Sequence, residues 1–490
     1  MVEVPFIGPS YTLDALDVSA QSCVNMYVEI YRDGNTKVPA SLRSTAGLSL
    51  FATQVGDWNM RCLYLSSDGT FFGVRGDQVS TFSTAGVEAD RFDLDTGSIS
   101  TEQGIVRAAD SLNSAETTTN VLFVDGTANA YSYDVTTFTA TKVTDSAFPG
   151  GAFVAQIGGY FIVNKPGTLK AYFSTINDPT TWNTLSTITK ESTTDHITAL
   201  IAHDGRLWMF GTQSHEVAGP TGDSNNPFLK IQGTESDIGI ESPDSLAGDG
   251  DSLYWLGSDS QGFGKIYQSL GFDSQPISTV PIEREIHTYS VTNDAEGFCY
   301  QQDGHNYYQL TFPTENKTWC YDSTTRMWHE KSYWNKSTST AERHRARVSA
   351  FFNGKNYIGD WKSTGQIYSF EQDVYTDNGD IIKRRRTGPT HWNNLNRLFY
   401  SKVEFDLEGG VGLTSGQGSI PKARFSYSND GGNNYGNVRL ISLGRIGDYK
   451  KRTKKERLGR SRKRVWKIEY TEPTKFTILS MFADIGQGSS

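Results

Sequence analysis

Apolar and polar positions along this chain alternate in short runs, and the runs are separated by glycine-containing turns. The stretch LIAHDGRLWMFGTQSHEVAG at 200–219 shows the unit most cleanly. An apolar run reaches Asp204-Gly205, the chain reverses, and Leu207, Trp208, Met209 and Phe210 return. Asp-Gly suits the reversal because a tight hairpin needs positive φ, which glycine adopts freely and aspartate tolerates. The pattern predicts two antiparallel strands with a third beginning at His215. The unit recurs around glycines 69, 126, 159, 205, 250, 304 and 354, at spacings of 57, 33, 46, 45, 54 and 50. Most spacings fall near the roughly 40–50 residues that a four-stranded propeller blade occupies. One small sheet cannot cover both of its faces, whereas blades packed around an axis cover each other. An all-β fold with a β-propeller of about six to eight blades is therefore expected. Trp208, Trp255, Trp319, Trp328 and Trp361 are its candidate wedges.

The repeat does not span the whole chain. Residues 1–60 read as a lead-in, with one alternating strand at 24–30 and a turn-rich stretch at 41–48. The propeller is assigned to 61–373. From 374 to 490 the pattern changes to a charge run at 378–386, followed by alternating strands at 403–407 and 423–427, which predict a separate β-rich module packed with the lead-in. Within it, Ser428, Asp430, Gly432 and Tyr435 fit an Asp-box hairpin. There the carboxylate accepts from turn amides and the aromatic packs behind them, a structural task.

Composition supports this reading. The 490 residues contain 12% aromatics and 48 Gly against 15 Pro, a balance suited to short strands and tight turns. No apolar run approaches the roughly 18 residues of a membrane span, and the first residues lack a basic and then apolar leader, so a soluble chain made in a cytosol is expected. Cys23, Cys62, Cys299 and Cys320 show no C-x-x-C spacing and read as buried thiols. His196, His203 and His215 lie at spacings that do not share a face with a carboxylate, and no metal or other cofactor is expected. Nucleophile-elbow, zincin and phosphate-loop motifs are missing, and most Asp residues serve as turn formers, so no catalytic residue is assigned.

Charge brings in one further feature. Thirteen Lys or Arg lie between 439 and 467 (Arg439, Arg445, Lys450, Lys451, Arg452, Lys454, Lys455, Arg457, Arg460, Arg462, Lys463, Arg464 and Lys467) against two acids, Asp448 and Glu456. This local +11 leaves −20 on the remainder of a chain whose net charge is −9. Such a block fits nucleic-acid phosphates, docking on an acidic protein surface, or a solvated loop. Aromatic interleaving of the kind that binds single strands is nearly absent, with Tyr449 and Trp466 alone nearby.

Several short motifs, in order along nearly the whole chain, resemble the phage stabilisation family, the packaged-DNA stabilisation or tail hub (nozzle) proteins of short-tailed phages. They are Val24-Asn25-Met26, SLRSTAGL at 41–48, DPTTWN at 178–183, IAHDGRLWMFG at 201–211 with Glu216-Val217, IEREI at 282–286, and Gly444-Arg445 and Gly459-Arg460 before a basic strand. The basic insert around 450–464 is a departure from that pattern. The resemblance implies a structural protein of the virion tail, assembled in the host cytoplasm as a homo-oligomeric ring, a hexamer. It would lie below the portal and its adaptor, with a tail fibre, tailspike or tail needle as a further partner. Double-stranded DNA would pass through its lumen without sequence-specific contact. The rival expectation is a propeller that binds or degrades a glycan on the host surface.

Overall fold

The computed structural model describes the chain except residues 33, 35, 54–57, 92–98, 114, 116, 225, 260, 363, 395, 489 and 490. Six successive antiparallel sheets, each built from consecutive strands, occupy 60–91, 107–142, 154–189, 199–230, 239–276 and 296–330. These are blades 1 to 6. Blade 7 combines Ala346–Phe352, Lys355–Asp360 and Gln366–Glu371 with Gly47–Thr53 from the far N-terminal region, which supplies its outer strand. The ring closes where blade 7 meets blade 1. Phe71 and Phe352 stack with centroids 4.7 Å apart, and Arg347 Nη1 donates to the Met60 carbonyl at 3.4 Å.

Six of the seven recurring glycines sit in the turn between the first and second strands of a blade. In four of these turns the preceding residue is also left-handed, with φ of 59° at Gly158, 50° at Asp204, 51° at Asp303 and 46° at Asn353, as a type I′ turn requires. Gly126 is the displaced one, lying between the second and third strands of blade 2. The first turn of that blade follows Leu112 and has no glycine, which explains the uneven spacings of 57 and 33. Trp208 and Trp255 are buried in the cluster joining blades 3, 4 and 5, and Trp319 and Trp328 in the one joining blades 5 and 6. Burying each such ring contributes about 2–3 kcal/mol. Trp361 is not a wedge: it is half-buried, with the Arg343 guanidinium 4.2 Å above its ring. The motif at 282–286 lies on the α-helix Val280–His287, where Ile282 and Ile286, one turn apart, face the same cluster as Trp328.

The remaining strands form a β-sandwich. One sheet contains Met26–Ile30, Ala40–Ser44, Thr477–Gln487, Leu398–Leu407 and Thr453–Glu456, in that order. The other runs Ala20–Val24, Arg384–Thr387, Lys463–Tyr470, Lys422–Ser428 and Arg439–Ser442. Phe405, Phe425, Tyr400 and Trp466 interlock between them, with ring centroids 5.3–5.7 Å apart. The lead-in therefore divides: its strands up to Ser44 join the sandwich, whereas Gly47–Thr53, expected to go with them, completes blade 7. Its partner strand would otherwise leave the last blade one strand short.

Two features weld the bodies together. Val24 pairs in parallel with Glu330 of blade 6, so that blade continues into the sandwich. At the next residue the chain changes sheet, with Asn25 left-handed at φ 54°. The Asn25 side chain donates to the carbonyls of Ser332 (2.9 Å) and Lys383 (3.0 Å) and accepts from the Ser332 amide (2.9 Å). The charge run at 378–386 is also largely internal. Arg386 is fully buried and donates to the carbonyls of Phe6 (2.8 Å) and Pro9 (2.7 Å) and to Gln21 Oε1 (2.9 Å), which pins the N-terminal segment. Burial brings its pKa down to about 10. Cys23, Cys62 and Cys320 are buried free thiols, and Cys299 is half-buried.

Candidate assembly interface

The basic segment wraps one border of the sandwich. It begins as Arg439–Ser442, the edge strand of one sheet, passes through an exposed turn at 445–452, and becomes Thr453–Glu456, the edge strand of the other. It then re-enters the first sheet as Lys463–Tyr470, an interior strand. This path sorts its cations. Arg445, Lys450, Lys451, Arg457 and Arg460 are exposed and have no ion pair among the described residues. Arg452 grips Glu404 with two bonds of 2.6 Å, which lowers the pKa of that carboxyl. Lys454 pairs with Glu456 at 2.8 Å and Lys463 with Asp17 at 2.5 Å. Lys455 Nζ donates to the Leu440 carbonyl at 3.3 Å, and Arg462 is exposed.

Arg464 departs from the surface role read from its charge. It is fully buried between the rings of Tyr400 and Tyr427, at 4.1 and 4.2 Å, and donates from Nε to Asn429 Oδ1 at 3.0 Å. Its strand has cover on both faces, so a guanidinium there becomes a packing piece held by cation–π contact. Burial pushes its pKa down to about 10.

The Asp-box residues come together beside it. Ser428 Oγ donates to Asp430 Oδ1 (2.5 Å) and accepts from the Gly432 amide (2.9 Å), while Asp430 Oδ1 accepts from the Asn434 amide (2.9 Å). The Asn434 amide and the Ser428 hydroxyl hold the Asp430 pKa down at about 2. Tyr435 bridges back to Ser428, and Lys467 Nζ sits 3.6 Å over its ring. The hairpin thus sets Asn429 for Arg464.

Sequence reading missed the aliphatic component of the border. Val438, Leu440, Ile446 and Tyr449 are exposed among the cations. Tyr449 lies across Gly410, where a Cβ would fall 2.5 Å from the ring and φ is +77°. Isolated apolar residues in a charge run carry no periodic signal. A border mixing tyrosine, arginine and exposed aliphatics resembles the composition of protein interfaces.

Two family models cover the two bodies. One, described as Bacteriophage P22 Gp10, beta-propeller, matches residues 2–375. The other, Bacteriophage P22 Gp10, beta-sandwich, matches residues 383–486. The chain belongs to the P22 Gp10 family. It is accordingly a phage structural protein of the stabilisation and tail type, a component of the virion. No curated protein matches this Gp10-family chain. Among solved structures it is similar to the extracellular domain of a hybrid two component system of B. thetaiotaomicron, with 10% identity and a TM-score of 0.43, over 66% of this chain and 40% of that one. It is also similar to a chain of the mitotic checkpoint complex, with 11% identity and a TM-score of 0.38, over 70% of this chain and 95% of that one. At these scores neither likeness bears on function.

Near the propeller axis of this Gp10-family chain, two acidic groups are engaged with arginines. Glu296 pairs with Arg347 at 2.8 Å and Asp244 pairs with Arg107, and all four line a cavity of about 170 Å³. Burial pushes the Glu296 carboxyl upward. His215 is buried with Nδ1 2.7 Å from the Ile238 carbonyl, whereas His196 is exposed, so the histidines read together in the sequence do not converge.

Proposed function

We propose that this Gp10-family chain forms the tail hub of a short-tailed phage, a hexameric ring that continues the DNA channel below the portal and adaptor, retains the packaged genome and passes it at ejection. The observation that carries the reading is the segregation of charge: a basic border with Arg445, Lys450, Lys451, Arg457 and Arg460 free of ion pairs among the described residues, set on a body that bears −20. In this reading the border docks on an acidic adaptor or on the neighbouring copy, with its exposed apolar residues filling the contact. The acidic body repels DNA, so the duplex meets a lumen to which it does not adhere. A fibre, tailspike or needle binds elsewhere on the ring, and the protein acts by holding and aligning rather than by catalysis.

The test replaces Arg445, Lys450, Lys451, Arg457 and Arg460 together with Gln. All five are exposed, so the monomer should fold with an unchanged thermal midpoint. Its assembly onto adaptor-bearing heads should fall at least about tenfold, and wild-type assembly should weaken as salt rises past 0.1 M, where screening acts over about 10 Å. Normal assembly of the folded variant would sink the docking role.

A further inference from the structure

We infer that the turn side of blades 5 to 7 is a binding cleft for a neutral glycan chain. Two adjoining cavities of about 410 and 460 Å³ open there, and Gln301, Phe351 and Asn356 line both. The first extends to the Asp249 and Asp251 turn of blade 5, and the second to Asp303 and to residues 370–374 at the end of the third strand of blade 7.

Phe351 stands on the rim that divides them and is 59% exposed, whereas its neighbours Phe352, Tyr300, Tyr357 and Phe370 are all buried. It is the penultimate residue of the first strand of its blade, directly opposite Asn356. Around it the polar groups are planar amides and carboxylates. The side chains of Gln301, Gln302 and Asn306 make no hydrogen bond among the described residues, and neither Asp251 nor Asp303 has an ion pair there. Asn356 Nδ2 donates to the Gln301 carbonyl at 2.6 Å, which fixes the amide where the two cavities meet.

This combination matches one ligand chemistry. A pyranose offers an apolar C–H face, which an exposed ring such as Phe351 can cover, and a rim of hydroxyls that both donate and accept. Side-chain amides and carboxylates supply the complementary acceptors and donors. Neither cavity is lined by Lys or Arg, so phosphorylated and sialylated chains and DNA lack a counter-charge and meet Asp249, Asp251, Asp303 and Asp373 instead. An apolar peptide would find a single exposed ring. Space on both sides of Phe351 accommodates a chain of sugars rather than a monosaccharide. The site goes beyond the hub reading and does not depend on it, because each copy carries the whole cleft.

The experiment titrates the full-length protein by calorimetry with maltohexaose, cellohexaose, chitohexaose and mannohexaose, using colominic acid as an anionic control. At least one neutral hexasaccharide should bind with a Kd of about 1 mM or tighter. Phe351→Ala should weaken it at least about tenfold, with an unchanged thermal midpoint since the ring is exposed, and Gln301→Ala about threefold. The inference is overturned if no neutral probe binds up to about 10 mM, if Phe351→Ala binds as tightly as the wild type, or if colominic acid binds equally well. Because binding is read on the free chain, a failure of ring assembly leaves the result unaffected.

Discussion

Blade 4 and the sandwich show two ways of arriving at a sheet. Blade 4 takes its four strands from residues 199–230, so each strand meets its partner across a short turn. In the sandwich, Thr477–Gln487 pairs with Ala40–Ser44 and with Leu398–Leu407, and Arg384–Thr387 pairs with Ala20–Val24. Local sheets are specified by their turns, whereas the sandwich is specified by what it buries, including arginines satisfied by backbone carbonyls. The loop-closure entropy of such distant pairings must be recovered from packing.

The sharpest way to break the comparison is to remove residues 1–53. Although blades 1 to 6 keep all their strands, both bodies should lose cooperative unfolding in calorimetry, because blade 7 and the sandwich each lose strands to the deletion. Next in size, Arg386→Met leaves the carbonyls of Phe6 and Pro9 without their donor and should cost about 3 kcal/mol in denaturant titrations, with the N-terminal segment becoming protease-sensitive.

His329 tests the junction side of blade 6. Burial, aided by Lys331, lowers its pKa from 6.5 to about 3. Its contribution to stability is thus complete above pH 6.5 and is lost as pH falls from there toward about 3. His329→Gln should flatten that acid slope by about 2 kcal/mol between pH 7 and 4 relative to wild type, read from thermal midpoints at each pH. The smallest effect belongs to a blade turn: at Gly205, φ is +67° and a Cβ would meet nothing within 4 Å, so Gly205→Ala should cost only the backbone term of about 1 kcal/mol.

The same contrast governs what the sequence made legible. The Asp204-Gly205 and Asp303-Gly304 turns announce their hairpins because the conformational demand and the residues that meet it are adjacent. Gly126 misled the register of blade 2, whose first turn is held instead by Asn113 Oδ1 accepting from the Thr117 amide at 2.9 Å. The pairing of Thr53 with Gln366 crosses more than half of the chain and leaves no periodic trace. At the border, the cations were visible as charge, but their fates were not. Arg464 and Arg386 look solvated in a string of letters, and only the second sheet and the N-terminal segment make them internal. Phe351 erred in the opposite direction, an aromatic in an apolar run that the structure leaves exposed.

The outer strand of blade 7 has a consequence for the order of events during synthesis. Gly47–Thr53 leaves the ribosome among the first residues, yet its partner Gln366–Glu371 arrives some three hundred residues later. Until then the ring stays open, and the basic border, later still, does not exist. A chain released early therefore has neither a closed disc nor the basic border, however many of its blades have formed.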